Sequence, residues 1–209
     1  MKTRSASRLL VGLAILVTSC GETGGPTGPG PATAQNVVLQ AGDISGLQRC
    51  PQTGTYDRYL GTSGDADEVT AWTQAKSRGA IEGYISEYAD NSADCGNFNS
   101  VDALKGRLAF GWALKFKDSS SATADYKTDS TRFNTSPTDL AAFRTEGSLV
   151  TGSGTGLGEN SLLGIGTVQA FTYYFAVWQN QSFELAFWGF NVAKVAGDRA
   201  TTNINGRVH

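Results

Sequence analysis

Residues 171–190 read FTYYFAVWQNQSFELAFWGF, with nine aromatic side chains in the stretch. Two extended runs broken by Gln179-Asn180-Gln181-Ser182 predict a β-hairpin. Phe171, Tyr173, Phe175 and Val177 share one face of the first strand, and Phe183, Leu185 and Phe187 share one face of the second. These are the expected core. The opposite parity carries Tyr174 and Trp178, then Trp188 and Phe190, and these four are the candidate ligand-binding residues. Both faces are largely apolar, which places the hairpin centrally in a sheet covered on two sides. A helix over the second face would make the four aromatics core; without one they would hold an apolar molecule, a glycan or a partner protein by stacking. Of the two tryptophans, Trp188 is expected to be core and Trp178, nearer the turn, the cheaper to truncate.

The flanking sequence supplies the rest of the layers. From Leu108 to Phe116 every even residue is large and apolar, a period of two that predicts a strand. Its odd residues Ala109, Gly111 and Ala113 are small enough for another element to come close. Residues 65–78 open with acids, place Val69, Trp72 and Lys76 at helical spacing, and stop at Gly79. A strand over 81–88, a polar loop over 89–100, a helix over 119–132 and a short strand near 148–151 follow. Val192, Val195, Ala196, Ala200, Ile204 and Val208 fall at helical intervals and predict a closing helix. The mixture predicts an α+β fold, a mostly antiparallel sheet with helices packed on it in an α/β/α sandwich.

Motifs for chemistry are few. Gly152-Ser153-Gly154-Thr155-Gly156-Leu157-Gly158 imitates a nucleotide loop, but a phosphate needs a helix N-terminus after it, and a flexible surface loop is expected instead. Asp90 to Asp94 has the oxygen-rich look of a calcium loop, yet Cys95 stands where the turning glycine belongs and Val101 where the bidentate acid belongs. Asp65, Asp67 and Glu68 are explained as acids at a helix start. The one histidine, His209, is the last residue, which leaves a serine triad without a base. No catalytic residue, metal ligand or cofactor is assigned.

The N-terminus carries Lys2, Arg4 and Arg8, then an apolar run from Leu9 to Val17, about half the length needed to span a bilayer. Val17-Thr18-Ser19-Cys20 resembles the lipobox of bacterial lipoproteins. That resemblance implies a diacylglycerol on the Cys20 thiol, cleavage after Ser19, and further fatty acylation, such as palmitate, of the new amine; two or three chains suffice for stable anchoring. An ordinary secreted protein with an incidental Cys20 is the plainer alternative. The segment 21–36, GETGGPTGPGPATAQN, holds three of the five prolines and reads as a tether. The expected organisation is a signal peptide over 1–19, a lipidated Cys20 and tether over 20–36, and one domain over 37–209.

Export fixes the charge and the cysteines. Loss of Lys2, Arg4 and Arg8 leaves 14 of the 17 Lys and Arg against 19 acids, about −5. Nucleic-acid binding draws most of its affinity from neutralising phosphates, so no nucleic-acid partner is expected. With Cys20 committed to lipid, Cys50 and Cys95 are expected to form a disulfide in an oxidising compartment. Two free thiols or a metal pair are the alternatives, and thiolate metal sites want further Cys or His nearby.

The order of elements from Asp65 to Val208, with Gly156-Leu157-Gly158-Glu159-Asn160 ahead of the hairpin and a closing helix, resembles the PsbP-like domains of photosystem accessory proteins and actinobacterial surface lipoproteins. The resemblance implies a non-enzymatic binding or assembly role; Cys50 and Cys95 have no counterpart in it. The expectation is a membrane-anchored extracytoplasmic lipoprotein of the cell envelope, tied to the membrane through Cys20. Its domain would be a non-catalytic binding or assembly module for a small apolar ligand, an envelope polymer or a protein partner. The alternative is a carboxylate-dependent hydrolase of envelope glycans, marked by two acids about 5 to 10 Å apart across an open cleft.

Overall fold

The computed structural model describes residues 31–63, 66–99, 103–135, 147–168 and 171–209. The expected signal peptide, Cys20 and the expected tether up to Gly30 lie outside the described residues. In chain order the elements are α1 (Ala34–Val37), β1 (Gln48–Arg49), β2 (Gly54–Thr55), α2 (Tyr56–Ser63), α3 (Ala66–Ser77), β3 (Ala80–Ala89), β4 (Leu108–Phe116) and α4 (Ser119–Thr135). Then come β5 (Gly147–Thr151), β6 (Ser161–Val168), β7 (Phe171–Asn180), β8 (Phe183–Phe190) and α5 (Lys194–Gly206). The sheet order is β1-β3-β4-β8-β7-β6-β5, with β2 also on the outer edge of β3, and every pair is antiparallel. The fold is therefore the expected α+β sandwich, with the aromatic hairpin in the middle of the sheet.

The hairpin turns on two residues, Gln181 and Ser182, rather than on the four of the polar break: Asn180 faces Phe183 and Gln179 faces Glu184. Gln181 takes the positive φ of 50° that so tight a turn requires. An even-numbered loop pairs odd positions of one strand with even positions of the other, so Tyr173 faces Phe190 and Trp178 faces Leu185. Cross-strand partners point to the same side. Tyr174, Ala176 and Trp178 consequently share a face with Phe183, Leu185 and Phe187, and Tyr173 and Phe175 share the other with Trp188 and Phe190.

The first face packs under α5 and the segment 32–47. Val37, Val38, Leu39 and Ile44 join Tyr174, Trp178, Phe187, Ala200 and Ile204 in one buried cluster. The small odd residues of β4 serve this approach: a Cβ on Gly111 would stand 3.1 Å from the Leu39 Cβ. Of the closing helix's apolar positions, Val192, Ala200, Ile204 and Val208 are buried, whereas Val195 is 77% exposed. The second face is covered by α2, α3 and α4, through Tyr56, Leu60, Trp72, Ala75 and Ala122 against Ile85, Phe110, Leu114 and Phe116.

Two boundaries differ from expectation. The folded body begins by Ala32, not at Val37: Lys115 Nζ donates to Ala32 O at 2.8 Å, and the Ala34 amide donates to Glu82 Oε2 at 3.0 Å. Side-chain contacts far along the chain thus order residues whose composition reads as linker. The glycine-rich region before the hairpin also contains a full strand, β6. Its Gly164 is needed because a Cβ there would lie 2.1 Å from the Phe175 ring. Cys50 and Cys95 are joined in the expected disulfide, with Cα atoms 5.5 Å apart, fastening the outer edge of the sheet to the 90–99 loop.

Candidate ligand-binding site

The four aromatics singled out by parity do not form one surface. Tyr174 and Trp178 lie on the α5 face and are buried, while Trp188 and Phe190 lie on the opposite face. Trp178 has 0% exposure and donates from Nε1 to Asn205 Oδ1 at 3.0 Å, so it is core locked to α5. Trp188 is only partly buried, among Phe98, Phe110 and Trp112. This reverses the ranking expected of the two tryptophans, because α5 covers the turn end of β7. Phe175 is buried as expected, but Phe171 and Tyr173 are only half-buried.

Tyr174 is the member of the four that borders open space. Its hydroxyl reaches Asp198 Oδ1 at 3.1 Å and Thr201 Oγ1 at 3.3 Å. Burial, with the Asp198 charge adding to it, pushes that hydroxyl far above the ordinary tyrosine range, so it remains a neutral hydrogen-bonding group at any physiological pH. Asp198 is also held by Lys194 one turn earlier on α5. The carboxylate is thus already committed to a cation and a phenol.

The glycine-rich loop forms the opposite wall. Residues Gly152–Thr155 make one turn of 3-10 helix, and Gly156 ends it in the left-handed conformation at φ 77°. Buried Ser161 ties the loop shut, its Oγ lying 2.9 Å from Gly152 O, 2.6 Å from Gly158 O and 2.6 Å from Thr155 Oγ1. Leu157 is thereby plugged into the core. The segment is a surface loop, as expected, but one held by hydrogen bonds, and the element after it is β6, not a helix.

Between this wall, the edge strand β5 with its neighbour β6, and the first turns of α5 lies a cavity of about 280 Å³. Val150, Leu157, Leu163, Ile165 and the flank of Tyr174 supply its apolar side. Thr155, Thr202 and the Lys194–Asp198 pair supply the polar side. Its size stands at the lower end of small-molecule pockets, and apolar and polar groups share its lining about equally. Asp198 is the one acid lining it. Among the described residues no three His, Cys, Asp or Glu side chains cluster as a metal site would require, and no helix is long and apolar enough to cross a membrane.

No family model matches the chain, and no curated protein matches it. Among solved structures it is similar to the extracellular domain of PknH from Mycobacterium tuberculosis, with a TM-score of 0.54 at 7% sequence identity, covering 87% of this chain and 98% of that one. The likeness is one of fold.

Proposed function

We propose that this chain is a lipid-anchored extracytoplasmic binding module that holds a small molecule with an apolar body and a polar end, and performs no chemistry on it. The observation that carries the reading is the cavity beside Tyr174, a hollow with an apolar side and a polar side whose single acid among the described residues is already paired with Lys194. A hydrolase would need a second carboxylate facing the first, and none of the described residues supplies one to this cavity. The disulfide suits an oxidising compartment. The fold likeness to an extracellular domain supports the same side of the membrane, and the lipobox-like Val17 to Cys20 supports the anchor. The PsbP-like resemblance supports a role in binding or assembly.

Native mass spectrometry of the full-length protein, extracted from its own host in mild detergent, tests the reading. The expected result is a retained small molecule that disappears in Thr202→Trp, which fills the cavity from an exposed position of α5. A wild-type protein that carries nothing, or a variant that carries the same added mass, overturns it.

A further inference from the structure

A second hollow, of about 260 Å³, opens at the other side of the sheet's α5 face, along the outer edge of β3. It exists because two short strands share that edge and leave a gap. β1 pairs with Tyr88 and Ala89, β2 pairs with Tyr84 and Ile85, and between them the backbone reaches β3 only through the Cys50 amide, which donates to Glu87 O at 2.8 Å. Thr53 fills the gap from its side chain: Oγ1 accepts from Glu87 N at 2.9 Å and lies 3.1 Å from Glu87 O. The floor of the hollow is the alternating set Tyr84, Ser86 and Tyr88, and segment 35–41 forms its far wall.

Two groups in it have unused capacity. Ser86 lies low in the sheet, and its hydroxyl opens onto the hollow with no protein hydrogen-bond partner among the described residues. Arg49 lines the same space and donates only from Nη2, to the Tyr84 hydroxyl at 3.2 Å; no carboxylate among the described residues pairs with it. Among the described residues it is the only charged side chain lining this hollow. The nearby Asp43 does not neutralise it, because Arg207 already grips both Asp43 oxygens, at 3.1 and 2.7 Å.

We infer that this hollow is a binding site for a carboxylate carried on a hydroxylated ring, the chemistry of an acidic sugar. The guanidinium fork of Arg49 matches a carboxylate in geometry and charge. Ser86 and the tyrosine hydroxyls address ring hydroxyls, and the tyrosine rings offer apolar surface to the sugar's C–H faces. The volume equals about nine waters, one monosaccharide ring rather than a long chain. Past Tyr84 the surface continues into a hollow bordered by Asp57 and Glu82, so the carboxylate sits at the Arg49 end and away from those acids. The inference is independent of the cavity beside Tyr174.

Titration of the full chain in detergent micelles with D-glucuronate, D-glucose and N-acetylglycine, followed by amide chemical shifts, tests it. Glucuronate is expected to shift the amides of residues 49, 84–88 and 35–41 and to bind at least tenfold more tightly than either other probe. Arg49→Gln, at an exposed position, should weaken glucuronate at least tenfold, and Ser86→Ala should weaken it several-fold with the spectrum otherwise unchanged. Glucose binding as well as glucuronate overturns the carboxylate, N-acetylglycine binding as well overturns the sugar ring, and absence of glucuronate binding or indifference to Arg49→Gln overturns the site.

Discussion

Gly197 of α5 lies directly against the ring of Tyr174, so close that a Cβ at 197 would stand 2.5 Å from Tyr174 Cδ2. A glycine within a helix costs about 1 kcal/mol relative to alanine. Here the missing side chain is what lets the helix settle onto the sheet. Gly197→Ala should therefore gain helix propensity and still lose stability, by about 1 to 2 kcal/mol, since overpacking a closed core costs about 1 to 3 kcal/mol. Urea unfolding decides it, and a variant as stable as the parent would refute the close-contact account.

The tryptophans should separate cleanly. Trp178→Ala removes a fully buried ring and its hydrogen bond to Asn205, and is expected to cost about 3 to 5 kcal/mol. Trp188→Ala should cost less, because its ring is partly exposed. Thermal melts of the two variants give the order, and a less stable Trp188 variant would contradict the facing described above.

Glu87 is 2% exposed on β3 and accepts a hydrogen bond from the Gly96 amide at 2.7 Å. Burial raises its carboxyl above the ordinary value of 4.5, and the Gly96 hydrogen bond only partly opposes this. A pKa raised by folding favours the protonated folded state. Its contribution is fully present below the unfolded value and is lost as pH rises through the folded one. Relative to Glu87→Gln, the parent should therefore lose stability between about pH 4 and the raised folded value. Denaturant midpoints at several pH values measure it; a constant difference between the two proteins would show that Glu87 titrates normally.

Neither Cys50 nor Cys95 should take up a thiol label before reduction, given the bond between them. Closing a loop with a sequence separation of 45 is worth up to about 4 kcal/mol in the chain-entropy model. The double variant Cys50→Ala, Cys95→Ala should approach that loss in urea. A cost below about 1 kcal/mol would mean that the edge strand and the 90–99 loop hold together without it.

Cys20→Ser should move the protein from the membrane fraction to the soluble exported fraction, with the thermal transition of the domain unchanged. Fractionation after a carbonate wash reads the outcome. Retention in the membrane would count against the acyl anchor.

Elements with a clean period were legible in the sequence. β4 occupies the predicted residues 108–116, and α3, β3 and α5 fall within a few positions of expectation. What stayed hidden depends on contacts remote in sequence. β6 looked like loop because Gly164 and Gly166 lower strand propensity, and only the Phe175 ring above Gly164 explains the glycine. β1 and β2 are two residues each and carry no period at all. The aromatic set was divided wrongly because strand parity was read along each strand, whereas the even-numbered turn decides which parities meet across the hairpin. Ser86 and Arg49 gave no signal, since one serine between two tyrosines becomes a site only when a gap in the neighbouring strands exposes it.

Arg207 donates to the carbonyls of Val37 and Val38, each at 3.1 Å, and to both oxygens of Asp43. Residues 37–43 thus wait for a partner made 164 positions after Asp43. Until α5 has emerged, Val37, Leu39, Trp178 and Phe187 have no lid, and a nascent or truncated chain displays them together as an oily stripe. Such exposed apolar surface is what makes incomplete chains prone to aggregate, and here it closes when Arg207 reaches Asp43.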